Sequence, residues 1–159
     1  MSMRYNQAYI ETHDIDWFCM IGNTAIHCAS NGGRLPDKVN NREQNRKNQV
    51  TVAKMADVLA SEDDVEINSE YVKERFGGNE GQDLFKCYVS SFVAMAMKGF
   101  ISFDRLPNKE EYIWIAKPRN PVVVEIETLP RYDEGVCPFF KKTGELLHVK
   151  CLDSRDDQV

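Results

Sequence analysis

The pair Gly22-Asn23 restricts the fold of this chain more than any other feature. It stands between residues 15–21 and 24–29, two runs rich in β-branched and aromatic side chains. Gly followed by Asn suits a two-residue hairpin loop, because glycine takes positive φ at the first loop position without a steric penalty. The loop length then sets the register: Ile21 faces Thr24, and the numbers of opposed residues sum to 45. One face collects Ile15, Trp17, Cys19, Ile21, Ile26 and Cys28, an apolar set that belongs in a core. The other collects Asp14, Asp16, Phe18, Met20, His27, Ala29 and Asn31. A three-residue loop would exchange these neighbours.

In this register His27 lies opposite Phe18 and diagonal to Asp16. Diagonal positions are about 7–8 Å apart, within side-chain reach. The spacing predicts a His–carboxylate contact with Asp14 and Asn31 close by. Two readings follow. In the functional one, Asp14, Asp16 and His27 are catalytic candidates for general acid–base work or for holding a divalent ion. In the structural one, His27 is half-buried on the outer side of the hairpin and held there by a salt bridge. Cys19 and Cys28 point away from His27, which argues against a Cys–Cys–His zinc site. No metal and no cofactor is assigned.

The hairpin leads into Ser30-Asn31-Gly32-Gly33-Arg34. A glycine-rich turn after a strand and before a helix can offer backbone N–H groups and a positive dipole to an anion. Asn31, Gly32, Gly33 and Arg34 are therefore the ligand-binding candidates, for a small acidic or phosphorylated molecule. The competing reading is that the two glycines are turn residues. The sequence has no Walker A loop, no G-x-G-x-x-G and no H-E-x-x-H, G-x-S-x-G or S-x-x-K.

Charge is unevenly spread. Between Arg34 and Lys54, six cations stand against Asp37 and Glu43, a local +4 that leaves −9 for the rest of a chain with net charge −5. Lys38, Arg42 and Arg46 are spaced i, i+4, i+8, so a continuous helix would set them in one basic row. A net-acidic chain without a base-reading motif does not fit nucleic acid.

Residues 4–12 read as a weakly alternating first strand. Residues 37–60 read as one long helix or two shorter ones, with Val39, Val50, Ala53, Met55, Ala56 and Leu59 as the apolar stripe. Asn68 or Ser69 caps a helix over 70–76 that Gly77-Gly78 ends. Residues 82–98 form the buried central helix, apolar almost all round, with Gly99 beyond its end. Strands are expected at 100–103, 112–116, 122–129, 138–141 and 146–151, with turns at Leu106-Pro107-Asn108 and Thr143-Gly144.

Strands, then helices, then strands joined by hairpins describe an α+β domain. Its mainly antiparallel sheet would be formed by the N-terminal and C-terminal strands and packed on the central helical segment. Residues 1–152 are expected to form one domain, with a polar, frayed tail at 153–159. No segment is long and apolar enough to span a membrane, and no secretory leader is recognisable. Five cysteines, odd in number and without C-x-x-C, indicate free thiols and a cytoplasmic setting. The function expected is a non-enzymatic binding or protein-interaction domain, with a protein partner or a second copy as its target. A small enzyme or anion-binding protein built on residues 14–34 is the alternative.

Overall fold

The computed structural model describes residues 3–77, 83–109 and 111–133, together with the strand backbones at 140–142 and 148–151. Strands β1 (Asp16–Ile21) and β2 (Thr24–Ala29) pair antiparallel, Asp16 opposite Ala29 and Ile21 opposite Thr24. The register is the one the two-residue loop demands. Gly22, at φ +58°, makes the reversal possible.

From β2 the chain leaves the sheet through α2 (Arg42–Lys54), the short strand β3 (Val65–Ile67), α3 (Ser69–Phe76) and α4 (Asp83–Met97). It returns as β4 (Ile101–Arg105), which lies beside β2 and parallel to it. Next, β5 (Glu111–Pro118) folds back antiparallel on β4. A two-residue strand β6 (Arg131–Tyr132) adds parallel to β1. Finally β7 (Phe140–Lys142) and β8 (His148–Cys151) pair antiparallel, and β8 lies against β5. The strand order is β6-β1-β2-β4-β5-β8-β7, with β3 also paired to β5.

The protein is α+β, but its sheet is mixed rather than mainly antiparallel. The order strands, helices, strands lacks the regular alternation of a parallel α/β fold, yet it does not exclude a parallel pair. One helical excursion between neighbouring strands is already a crossover, and a crossover returns the chain parallel. The loop residues Thr143 and Gly144 and the tail 153–159 lie outside the described residues.

Around β1, β2, β4 and β5 the sheet is covered on both faces. Trp17, Cys19, Ile21, Ile26 and Cys28 pack on one side with Phe103 and Tyr112, beneath Ile10, Leu35 and Val39. The Trp17 indole meets the Tyr112 ring edge-on at 5.8 Å and its Nε1–H donates to Tyr112 Oη at 3.3 Å. On the other side, α4 lays down Phe85, Val89, Phe92, Val93 and Ala96, each larger apolar side chain contributing about 1.5–3 kcal/mol of burial. Leu84 is 59 % exposed, so α4 has one buried face and not an apolar girth.

Three local expectations change. Residues 4–12 form α1 (Gln7–Thr12) and not a strand, because the Asn6 side chain caps the helix by accepting the Tyr9 N–H. The stripe assigned to 37–60 is not the inner face of α2: Val50 is 48 % exposed, and the buried positions are Asn45, Asn48 and Val52. Residues 122–129 belong to no strand: Val124 and Ile126 are buried and Glu125 and Glu127 exposed, but Thr128, which strand alternation would place with Val124 and Ile126, is exposed. With Leu129, Val124 and Ile126 close a third apolar group over Phe18, Met20 and Phe100.

Candidate functional site

His27 occupies the position the hairpin register gave it, but in the interior. It is 1 % exposed, set between the Phe18 ring at 5.4 Å and the Phe92 ring at 6.0 Å. The half-buried imidazole on a sheet surface does not survive, because α4 covers that face. Nε2 lies 2.8 Å from Asp16 Oδ1, and Nδ1 lies 2.6 Å from Ser102 Oγ. An ionised carboxylate only accepts, so Nε2 carries the proton and donates to Asp16. In the neutral ring Nδ1 then accepts from the Ser102 hydroxyl. Ser102 comes from β4, directly opposite His27 in the parallel pairing.

Asp16–His27–Ser102 has the members of a nucleophilic triad, but its ends are inverted. Ser102 is 0 % exposed, whereas the Asp16 side chain is 59 % exposed. The hydroxyl is sealed and the carboxylate is the end that meets solvent. These hydrogen bonds hold Asp16 in place and do not present Ser102 as a nucleophile.

Asp14 sits two residues before Asp16 on the same flank, and its Oδ1 accepts the Asn31 N–H at 2.9 Å. The loop expected to cradle an anion is otherwise engaged. The Ser30 N–H donates to Ile15 O, that of Gly32 to His13 O and that of Gly33 to Ser30 O. No amide of residues 30–33 is left for a ligand, and the helix expected next begins only at Arg42. A Cβ on Gly33 would lie 2.2 Å from Arg105 Cδ, and Arg105 Nη1 donates to Asn31 O at 3.0 Å. Asn31, Gly32 and Gly33 thus form a turn tied to β4, and Arg34 follows it half-buried.

The basic segment provides what the loop does not. Asn41 caps α2, and its side chain accepts the Gln44 N–H. The helix docks on β1 through amides: Asn45 Nδ2 and Gln49 Nε2 donate to Asp16 O at 3.1 and 2.8 Å. Asn45 Nδ2 also reaches Tyr5 Oη at 3.0 Å. This docking opens a cleft of about 780 Å³ between α1, β1 and α2. Asp14 and Asp16 line one wall, Arg42 and Arg46 the other, and Tyr5 and Tyr9 close one end. Lys38 leaves the expected basic row. It lies before the helix, over the Tyr132 ring at 4.7 Å, and donates to Arg131 O.

A second polar group lies on β4 beneath α4. Asp104, 5 % exposed, accepts the Tyr88 hydroxyl on Oδ2 and lies 3.5 Å from Arg75 Nη1. Burial raises the Asp104 carboxyl above its ordinary range, against the stabilising Tyr88 hydrogen bond and Arg75 charge. Burial, reinforced by Asp104, pushes the Tyr88 phenol upward. Ser102 and Asp104 alternate with Ile101 and Phe103 in the sequence, a pattern that reads as a solvent-facing edge. Only the arrival of α4 makes them interior.

No family model matches this chain, and no curated protein or solved structure matches it either. Among the described residues, no group of three His, Cys, Asp or Glu side chains is placed to hold a metal ion. Nor is any helix among them long and apolar enough to cross a membrane.

Proposed function

We propose that the protein is a non-enzymatic binding domain whose cleft takes a small anionic ligand on Arg42 and Arg46. One observation carries this reading. The two guanidinium groups stand one helical turn apart on a wall of the cleft and make no hydrogen bond or ion pair among the described residues. Neighbouring guanidinium groups repel each other, and a carboxylate or phosphate accepting from both relieves that repulsion. The cleft volume falls within the range of about 300–1,000 Å³ typical of small-molecule sites.

Binding without turnover is favoured because the polar chain behind the cleft ends in a buried hydroxyl. That Cys19, Cys28 and Cys87 form no disulfide supports a reducing, cytoplasmic setting. Thermal unfolding in rising inorganic phosphate or acetate tests the reading. Melting temperature is expected to rise with anion concentration in the native chain and to stay flat in Arg42→Ala/Arg46→Ala. An equal rise in both proteins refutes it.

A second reading, acid–base work at Asp16, draws on the His27 contact that fixes this carboxylate. It requires a turnover that Asp16→Asn abolishes.

A further inference from the structure

The cleft is ordered in polarity along its length. On α2 the lining runs from Arg42 and Arg46 through Gln49 to Val52 and Ala53, about 16 Å at 1.5 Å per residue. Along β1 and the two residues before it, the lining runs from Asp14 through Ile15 and Asp16 to Phe18, about 13 Å at 3.3 Å per residue of extended chain. The two walls run in step, because the Asp16 carbonyl is bonded to Asn45 and Gln49 while Phe18 packs in one apolar group with Val52. Asp14 is therefore level with the arginine end. Met95 of α4 joins Phe18, Val52 and Ala53 at the far end. One half of the cleft carries both signs of charge, and the other half is apolar.

Each carboxylate uses one oxygen within the protein, Asp14 Oδ1 on Asn31 and Asp16 Oδ1 on His27. The second oxygen of each has no partner among the described residues. A simple anion seated on Arg42 and Arg46 would face these two carboxylates, and like charges at close range oppose binding. A ligand that also carries an ammonium group converts the opposing wall into a second point of attachment.

Building on the anion-binding reading above, we infer that the ligand is a small zwitterion with an apolar side chain, the chemistry of a free apolar amino acid or a short apolar peptide. Its carboxylate lies on Arg42 and Arg46, its ammonium group on Asp14 and Asp16, and its side chain against Phe18, Val52 and Met95. No bond is made or broken.

Calorimetric titration of the full chain with matched probes tests this. L-leucine and L-phenylalanine are compared with leucyl-leucine, with 4-methylpentanoate, which lacks the ammonium group, with 3-methylbutylamine, which lacks the carboxylate, and with glycine. At least one of the first three is expected to bind about tenfold or more tighter than each of the others, since a hydrogen bond to a charged group is worth about 1.5–3 kcal/mol. A preference between leucine and leucyl-leucine identifies the source, and either preference supports the inference. Asp14→Asn and Asp16→Asn both keep an oxygen acceptor for their protein partners. Each is expected to bring the affinity for the zwitterion down to that for 4-methylpentanoate. If 4-methylpentanoate matches the zwitterions in the native chain, the inference fails and the anion site stands. If neither the zwitterions nor 4-methylpentanoate, acetate or phosphate binds, both readings fail.

Discussion

Replacing His27 by Leu tests whether the buried imidazole is a polar strut between strands. The substitution keeps an apolar group of similar bulk between Phe18 and Phe92, so loss of packing is small. What changes is hydrogen bonding at the two ends. Asp16, 59 % exposed on its side chain, exchanges the imidazole for water at a cost of about 0–1 kcal/mol. Ser102, fully buried, has no water to turn to, and an orphaned buried hydroxyl costs about 1–3 kcal/mol. The sum is about 2 kcal/mol, or about 4–8 °C in melting temperature for a chain of this size. Ser102→Ala alone orphans His27 Nδ1 and costs a similar amount. The double variant His27→Leu/Ser102→Ala leaves neither group unsatisfied, so its loss should fall well below the sum of the single losses. Equilibrium urea unfolding of the native chain and the three variants gives the coupling energy directly. Strict additivity would mean that the 2.6 Å contact carries no energy, and the strut argument would be wrong.

Three further outcomes follow from contacts described above. Asp104 binds its proton more tightly when folded, so its contribution to stability is greatest below the ordinary carboxylate range and declines as pH rises through the raised folded value. Asp104→Asn, which can still accept from Tyr88, removes that decline. Urea midpoints measured from acidic to neutral pH should move in the variant's favour, and a constant difference would contradict the assignment. Gly33→Ala forces Arg105 off Asn31 and should destabilise by about 1–3 kcal/mol, read as a lower urea midpoint; an unchanged midpoint would mean that Arg105 moves aside freely. Asn45→Ala removes the bonds to Asp16 O and Tyr5 Oη and should lower stability by about 1–2 kcal/mol. Amide hydrogen exchange is expected to quicken in α2 and stay unchanged in β4 and β5.

The sequence made the β1–β2 register legible because a two-residue loop leaves one pairing, and the Asp16–His27 contact followed from it. The caps of α3 were legible for a similar reason: Asn68 accepts the Tyr71 N–H, and the chain turns left-handed at Gly77. These are local rules. What lay beyond reach depends on which element arrives from far along the chain. Alternation identifies two faces of a strand but does not say how many are covered, so it left His27 half-buried on the outer side of the hairpin and gave no sign that Ser102 and Asp104 are interior beneath α4. The parallel β2–β4 pairing is likewise a property of the whole excursion between them. The cleft was half visible: Asp14 and Asp16 came from the hairpin and Arg42 and Arg46 from the charge pattern. Nothing in either pattern shows that Asn45 and Gln49 bring those two sets face to face.

That helix rests on the sheet through carboxamides and only one buried valine, Val52. Amides exchange protein partners for water at little net cost, whereas a greased seat does not. The arm bearing the arginines should therefore be the first element to lift away under mild denaturant, leaving the β-scaffold intact. A guest gripping both walls would lock it down, so occupancy should register as slower deuterium uptake far more strongly in residues 42–54 than anywhere in the strands.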